Sequence, residues 1–282
     1  MTEHPRVWVN GRLYAAEAFA LSPVDHGVVV GDGAFETAEI VGGRVFALSR
    51  HHARMQRSLS GLGLPDLDRD RMDEGIAAVL ADAAPIDFGR VRYFVTGGPG
   101  PLGSDRDPQA NATYVVAAGP MAAYPSSSAL HVVPWTRNER AATAGLKTTS
   151  YADNVIAYAA AKRAGAHEAI FANTRGELCE GTGSNVFVVL DGVIRTPPLS
   201  SGALAGVTRE LLLEWSRADG LTINEEDLPI EVLHAADEVF ITSTTRAVMP
   251  CHRVDDRELP IGPLTRQAAD LFTRRAADHH DP

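Results

Sequence analysis

Side chains that can bond covalently to a carbonyl compound are rare in this chain. Only two of its 26 basic residues are lysines, Lys147 and Lys162, and all the others are arginines. A lysine amine forms a Schiff base once it loses its proton, whereas a guanidinium stays protonated. Any chemistry that needs a side-chain primary amine therefore has two candidate residues.

The two lysines differ in their sequence context. Lys162 lies just before Gly165 at the end of a predicted helix, where the helix dipole and the C-cap account for a cation. Lys147 lies in the segment Gly145–Tyr151, between a loop and the start of that helix, among small hydroxyl residues. Solvation at the protein surface is one explanation of Lys147, and a reactive amine is the other.

An acidic residue beside a glycine-rich turn favours the reactive amine. Glu180 begins the run Glu-Gly-Thr-Gly-Ser-Asn, which leads into the apolar strand Asn185–Leu190. Ordinary turn formation also explains the glycines. However, a pyridoxal 5'-phosphate (PLP) site needs an amine for the Schiff base and an acid that keeps the pyridine nitrogen protonated. Lys147 and Glu180 are therefore candidates for these two roles.

Several separated blocks of the sequence occur in the order and spacing of a known family. They are Gly31–Thr37, the pattern His51-x-x-Arg54-Met55-x-x-Ser58, Lys147, the segment Glu180–Asn185, and two later turns at Gly206–Arg209 and Thr242–Thr244. Together they resemble the fold-type IV PLP enzymes, the class IV aminotransferase family, and most closely its 4-amino-4-deoxychorismate lyases. The resemblance implies a two-domain fold of α+β or α/β class, like that of D-amino acid aminotransferases.

The same resemblance implies which residues form the site. Lys147 is the expected catalytic Schiff-base residue, Arg54 the ligand of the cofactor phosphate, and Glu180 the partner of the pyridine nitrogen. The other residues expected to contact the cofactor are Tyr151, Ser184, Asn185, Val207, Thr208, Ser243 and Thr244. The candidates for substrate binding are Phe35, Arg92 and Arg106, and no metal is expected.

Simpler explanations stay open for three of these residues. Arg54 also fits a surface helix arginine paired with a neighbouring acid. Thr208 also fits a plain helix N-cap, and both roles are compatible. Tyr151 also fits a core tyrosine.

Local patterns predict the elements that must position these residues. Asn10-Gly11 and Gly42-Gly43 predict hairpins over 7–14 and 35–48. Apolar spacing predicts helices over 51–62 and 68–84, and alternation predicts strands over 91–96 and 113–117. The second half is predicted to contain strands at 130–135, 169–172, 185–190, 193–195 and 238–242, and helices at 152–163, 208–217 and 264–277. The proline- and serine-rich stretch 120–128 predicts a linker between a small N-terminal α/β domain, 1–119, and a larger C-terminal cofactor-binding domain of mixed α/β type, 129–282.

One glycine motif matches a dinucleotide-binding pattern but lacks the sequence context of such a site. Gly98–Gly103 satisfies G-x-G-x-x-G after a strand, but two of its residues are prolines that lack an amide proton, and no helical pattern follows. A dinucleotide site requires that helix, because its N-terminal amides bind the pyrophosphate. The sequence predicts a loop here.

Composition excludes several classes of partner. The 282 residues carry a net charge of −10, which argues against nucleic acid binding. No apolar run reaches the length of a membrane span, and Met1–Pro5 shows no signal-peptide pattern. Two cysteines exclude a disulfide-built scaffold. We expect a cytoplasmic enzyme acting on a small amino compound, and the resemblance implies a homodimer with its site between two domains.

The segment after the predicted strand 91–96 helps to choose an activity. D-amino acid aminotransferases resemble one another in an Arg-x-His pair there, and Gly97–Gly103 contains neither residue. The Tyr-Ile-Arg-Pro pattern of branched-chain aminotransferases is also absent from Arg92–Val95. Thr96-Gly97-Gly98 departs in turn from the Ser-Arg-Gly of the familiar lyases. The favoured function is a PLP-dependent 4-amino-4-deoxychorismate lyase of folate biosynthesis, which releases 4-aminobenzoate and pyruvate. The alternatives are a D-amino acid or (R)-amine aminotransferase and a catalytically degenerate binding protein, although the latter would need the lysine or the acid to be lost.

Overall fold

The chain, described here by a computed structural model over residues 6–282, divides into two compact units. The first contains the residues up to Ala123, the segment Leu146–Tyr151 and Asp281. The second contains Tyr124–Gly145, Ala152–His280 and Pro282. The stretch Met1–Pro5, whose sequence shows no signal-peptide pattern, lies outside the described residues.

The strands of the first unit form one antiparallel sheet. Over the described residues it has six strands, in the order β2-β1-β6-β5-β3-β4. Their bounds are β1 Arg6–Val9, β2 Arg12–Tyr14, β3 Gly33–Val41, β4 Arg44–Val45, β5 Phe88–Thr96 and β6 Thr113–Pro120. The hairpin between β1 and β2 turns at Asn10 and Gly11, whose φ angles of 47° and 93° are positive, as the Asn-Gly pair predicts.

Two long helices bury their apolar residues with this sheet. The helices of the unit are α1 His26–Val29, α2 Leu48–Leu62 and α3 Arg69–Asp82. Met55 and Leu59 of α2 are fully buried in the same core as Trp8 of β1. The helix α2 begins before the predicted His51 because β4 is short and Ala47, with a φ of 53°, redirects the chain.

The second unit contains a larger, mixed sheet. Within the part of the chain that the structure describes it has nine strands, in the order β12-β11-β10-β13-β14-β7-β8-β9, with β15 paired to β14. The bounds are β7 Ser128–Arg137, β8 Glu168–Asn173, β9 Leu178–Gly181, β10 Asn185–Leu190, β11 Val193–Thr196, β12 Ile223–Glu225, β13 Glu238–Ser243, β14 Ala247–Val254 and β15 Arg257–Glu258. The pairs β7–β8, β7–β14 and β11–β12 are parallel, and the others are antiparallel.

The helices of the second unit are α4 Ala152–Arg163, α5 Val207–Asp219, α6 Val232–Ala235 and α7 Pro263–Asp278. Trp215 of α5 packs against Phe272 of α7, with ring centroids 5.1 Å apart. Lys162 is exposed in the last turn of α4, so the helix-end explanation of this lysine is confirmed. The position of Lys162 is thus explained by helix stability, without a catalytic role.

Two segments lie largely outside the helices and strands. Gly98–Gly103 is a loop and no helix follows it, so the dinucleotide motif is excluded. The strand β6 ends at Pro120 and β7 begins at Ser128, so residues 121–127 of the predicted linker lie outside both strands. Over residues 6–282, no helix combines the length and the apolar character needed to cross a membrane.

Candidate active site

Lys147 belongs to the first unit, although the predicted domain boundary assigns it to the second half of the chain. The segment around it runs alongside the start of β3. The amide of Phe35 donates to the Lys147 carbonyl at 3.0 Å, and the amide of Thr149 donates to the Gly33 carbonyl at 2.8 Å. The Lys147 amide donates to Oγ of Ser58 on α2 at 3.1 Å. These backbone bonds fix the lysine at the edge of the first sheet.

The amine of Lys147 lies against aromatic rings. Its Nζ is 4.2 Å from the ring centroid of Phe35 and 5.6 Å from that of Tyr151. The two rings meet edge to face, with centroids 5.1 Å apart. Phe35 is buried, while Lys147 and Tyr151 are half-buried. Phe35 and Tyr151, both predicted on resemblance, are therefore neighbours of the Lys147 amine.

Arg92 shares the same aromatic ring. Its guanidinium carbon lies 4.0 Å from the centroid of the Phe35 ring. Arg92 Cζ and Lys147 Nζ therefore both contact the same ring. Within the described part of the first unit, Arg92 has neither a hydrogen bond nor an ion pair. An arginine without an anionic partner beside a reactive amine is suited to binding a carboxylate.

Arg54 is held by a buried carboxylate. Its Nε donates to Oε1 of Glu36 at 2.7 Å and its Nη2 donates to Oε2 at 2.6 Å. Burial alone would raise the pKa of Glu36, but Arg54 and His51 lower it well below its usual range. Arg54 thus pairs with an acid, as the simpler explanation expects, but in the core and not on the surface. Its predicted contact with the cofactor phosphate stays a prediction.

His51 completes this buried cluster. Its Nδ1 donates to Oε2 of Glu36 at 2.7 Å, and its fully buried Nε2 has no hydrogen-bond partner among the described residues. Burial lowers the pKa of His51 in spite of the nearby Glu36 carboxylate, so the ring is neutral at physiological pH. The neutral ring therefore leaves one nitrogen as a buried acceptor.

Arg106 is bound to other groups of the first unit. Its Nε and Nη2 donate to the two carboxylate oxygens of Asp32 at 2.7 and 2.6 Å. Its Nη1 and Nη2 also donate to the carbonyls of Gly63 and Leu62 at the end of α2. Because most of its donors are already used, the structure does not support a substrate role for Arg106. The residue instead fastens the loop after β5 to α2.

In the second unit, Glu180 is the next-to-last residue of β9 and is buried. Its Oε2 accepts a hydrogen bond from the Leu204 amide at 2.8 Å, and Nε of Arg137 lies 3.3 Å from its Oε1. The Arg137 guanidinium also lies over the ring of Phe171, 4.5 Å from its centroid. The Arg137 guanidinium thus gives the Glu180 carboxylate a cationic neighbour, and a carboxylate at this position would suit a protonated pyridine nitrogen.

Backbone pairing joins two of the strand ends that carry predicted cofactor residues in this unit. Asn185, the first residue of β10, is paired with Thr242 near the end of β13. The Asn185 side-chain amide donates to the Leu204 carbonyl at 2.8 Å. A Cβ on Gly206 would lie only 2.0 Å from Oδ1 of Asn185, so a glycine is required there. Asn185 therefore links the paired ends of β10 and β13 to the start of α5.

The start of α5 has the features of an anion site. The helix begins at Val207 after Gly206, which offers no side-chain cap, so the N-cap explanation of Thr208 is wrong. The first amides of a helix have no partner within it, and together with the helix dipole they favour a phosphate. Two buried hydroxyls, Oγ of Ser184 and Oγ1 of Thr242, have no hydrogen-bond partner in the described chain. These groups and the buried Glu180 fit a phosphorylated pyridine.

Ser243 and Thr244 follow Thr242 at the same end of β13. Oγ of Ser243 accepts a hydrogen bond from Nε of Arg246 at 3.0 Å. Of the predicted cofactor residues, the structure groups Lys147, Tyr151 and Arg54 in the first unit. The others, from Glu180 to Thr244, belong to the second unit.

Sequence reasoning missed several side chains that hold these residues. Glu36 lies inside the block Gly31–Thr37 but received no role, and Arg137, Glu168 and Arg246 were not singled out. An acid in the middle of an apolar strand is the one local signal that marks Glu36, because a carboxylate at such a position needs a partner. The other three are recognisable only from tertiary contacts.

Comparison with known proteins agrees with this geometry. Residues 33–254 match the model of the family described as amino-transferase class IV. The chain is 31% identical to a D-alanine aminotransferase of Bacillus licheniformis, over 93% of each chain. It superposes with a TM-score of 0.88 on a branched-chain aminotransferase of Thermoproteus uzoniensis, at 28% identity, over 96% of this chain and 94% of that one. The TM-score is 0.83 for a 4-amino-4-deoxychorismate lyase of Pseudomonas aeruginosa, at 31% identity, over 98% of this chain and all of the other.

These likenesses confirm the two-domain fold-type IV architecture and the enzyme class expected from the sequence motifs. The family depends on PLP, and its members among these relatives include both aminotransferases and a lyase. With a reactive amine, a buried carboxylate and a helix N-terminus in the family's order, this chain belongs to the class IV aminotransferase family.

Proposed function

We propose that this chain binds PLP through Lys147 and acts as a 4-amino-4-deoxychorismate lyase, releasing 4-aminobenzoate and pyruvate. The observation that carries the proposal is the grouping of Lys147 and Arg92 around the ring of Phe35. It offers an amine for a cofactor and, beside it, a guanidinium for a substrate carboxylate. The likeness to the Pseudomonas aeruginosa lyase supports the same activity.

The residues of the second unit fit the rest of the cofactor. Glu180 would hold the pyridine nitrogen protonated, and the amides of Val207 and Thr208 would bind the phosphate with help from Ser243 and Thr244. Arg54, oriented by Glu36, would add a fixed guanidinium to the phosphate site. PLP, when bound, supplies an electrophilic carbonyl and a ring that accepts electrons from the substrate.

The proton transfers are assigned to Lys147. As a neutral amine it would remove a proton from the carbon that bears the substrate nitrogen and then return it to the departing enolpyruvyl group. Nζ of Lys147 lies beside the rings of Phe35 and Tyr151, which limit its contact with water. Arg92 would orient the substrate without taking part in proton transfer.

A second candidate is an aminotransferase acting on a D-amino acid or an (R)-amine. The D-alanine aminotransferase relative supports it. Against it, the loop Gly97–Gly103 carries no cation, and Arg106 is occupied by Asp32 and by carbonyls of α2. This leaves Arg92 as the candidate for binding a substrate carboxylate in the described part of the first unit.

One set of assays separates the two activities. The lyase should convert aminodeoxychorismate to 4-aminobenzoate and pyruvate with no amino acceptor present. An aminotransferase should instead convert D-alanine and 2-oxoglutarate to pyruvate and glutamate, and a branched-chain activity would appear with L-leucine in place of D-alanine. Turnover of either amino acid without any lyase activity would overturn the lyase proposal.

The cofactor and the substrate residue have separate tests. Purified enzyme should show a visible absorption band that borohydride abolishes, and Lys147→Ala should lack that band. Arg92→Gln should raise KM about tenfold to a hundredfold with a smaller change in kcat, because a charged hydrogen bond is worth about 1.5–3 kcal/mol. Arg90→Gln, which alters the exposed arginine two residues away on the same strand, should leave both constants unchanged.

A further inference from the structure

A second buried carboxylate in the second unit has no role in the site described so far. Glu168, the first residue of β8, is 2% exposed. Its Oε1 accepts hydrogen bonds from Oγ1 of Thr182 at 2.6 Å and from the amide of Gly183 at 2.8 Å. Thr182 and Gly183 form the turn between Glu180 and Ser184. The Glu168 carboxylate thus fixes this turn through two hydrogen bonds.

The other oxygen of Glu168 holds a second segment. Its Oε2 lies 2.7 Å from Nη1 of Arg246, in a buried ion pair. Arg246 in turn donates from Nε to Oγ of Ser243 at 3.0 Å. Burial alone would lower the pKa of Arg246, but the Glu168 carboxylate raises it above its usual value, so Arg246 stays charged.

Steric contacts reinforce the connection. A Cβ on Gly181 would lie 2.4 Å from Oγ of Ser184 and 2.8 Å from Oε1 of Glu168. The turn therefore packs directly onto the carboxylate, and Glu168 joins it to the segment Ser243–Arg246. Both segments carry residues expected to contact the cofactor. A buried network whose members all have partners fixes one geometry.

We infer that Glu168 is a positioning residue for the cofactor. Through its contacts with Thr182, Gly183 and Arg246, Glu168 fixes the position of Ser184 relative to Ser243. This inference rests on the proposed binding of PLP by the second unit. Glu168 itself does not touch the reacting atoms; it acts by holding two separate turns at a fixed spacing before the cofactor arrives.

Glu168→Gln tests the inference with little change of shape. The glutamine still offers an oxygen to Thr182 and Gly183, but its amide nitrogen cannot accept from Arg246. Glu238→Gln is the matched control, because Glu238 is also buried at the start of a strand and accepts hydrogen bonds from the amides of Leu264 and Thr265. Glu238 supports the start of α7, which carries none of the predicted cofactor residues.

Three quantities are measured for each protein: the melting temperature of the apoenzyme, its Kd for PLP, and the visible circular dichroism of the holoenzyme. We expect Glu168→Gln to weaken PLP binding at least about tenfold and to change the dichroism of the bound cofactor. Glu238→Gln should lower the melting temperature while leaving the Kd and the dichroism unchanged. The spectroscopic signal separates a positioning role from a loss of stability.

Thr182→Val is a milder variant that covers the case in which Glu168→Gln does not fold. It removes one donor to Glu168 and keeps the ion pair with Arg246, so PLP binding should weaken about threefold. Wild-type affinity and dichroism in Glu168→Gln, or in Thr182→Val when the former does not fold, would overturn the inference alone. Failure of the wild-type chain to bind PLP would overturn the proposed cofactor as well.

Discussion

The guanidinium of Arg54 is bound edge-on by the carboxylate of Glu36, through two hydrogen bonds of 2.6 and 2.7 Å between buried groups. The two residues lie on α2 and β3, so the pair also ties a helix to the sheet that carries Phe35. Removal of one partner from such a pair leaves the other as an uncompensated buried charge.

We therefore expect Glu36→Gln to lower the free energy of unfolding by about 3–5 kcal/mol, the usual effect of breaking a buried ion pair. Urea denaturation of the apoenzyme measures this change. Glu74→Gln, at an exposed position on α3, should shift the free energy by no more than about 0.5 kcal/mol. Equal denaturation midpoints for the two variants would show that Glu36 and Arg54 are not coupled as described.

Two glycines of one turn should respond differently to a methyl group. Gly181→Ala forces the new Cβ against Ser184 and Glu168, whereas a Cβ on Gly183 meets nothing closer than Arg246 Nη2 at 4.0 Å. Gly181→Ala should therefore weaken PLP binding about tenfold, and Gly183→Ala should bind nearly as the wild type does. Titration of each apoenzyme with PLP gives the comparison, and similar affinities for both variants would contradict it.

Glu39 makes stability depend on pH. Burial raises the pKa of Glu39 to about 7 in the folded protein, whereas the unfolded value is near 4.3. Between these values the folded state binds more protons than the unfolded state, so the contribution of Glu39 to stability falls as the pH rises and is lowest above pH 7. Glu39→Gln should remove this slope and stabilise the protein by about 1 kcal/mol at pH 8, with the partial exposure of the side chain taken into account. Urea denaturation at pH 5 and pH 8 checks the sign, and a gain at pH 5 alone would refute it.

Arg106→Ala should loosen the loop after β5 without directly weakening substrate binding. The change removes the forked pair with Asp32 and the bonds to the end of α2, and we expect a loss of about 1 kcal/mol in stability. Subtilisin should then cut within 97–112 faster than in the wild type. Asp32→Asn should give the same cleavage pattern. A rise in KM for Arg106→Ala with unchanged cleavage would restore the substrate role that the sequence predicts.

Local sequence patterns were sufficient to predict many of the helices and strands and the order of the candidate site residues along the chain. The hairpin at Asn10-Gly11 and the end of α2 at Leu62 depend on residues close in sequence, and both are confirmed. The pairing of Glu36 with Arg54 depends on how α2 packs on β3, which no local spacing encodes. The position of Lys147 in the first unit has the same origin, because an extended segment can add to any sheet with a compatible edge. The homodimer and the cytoplasmic location stay predictions.

The segment Leu146–Tyr151 also sets an order of events during synthesis. The preceding residues, 124–145, belong to the second unit, yet this segment pairs with β3 of the first. A ribosome that adds about 5–20 residues per second must therefore travel well past the last strand of the first sheet before that sheet can gain its final edge. The chain region through Ala123, expressed alone, would leave the start of β3 unpaired on that side and would lack Lys147. The lysine thus takes its position only after the surface that receives it has been made.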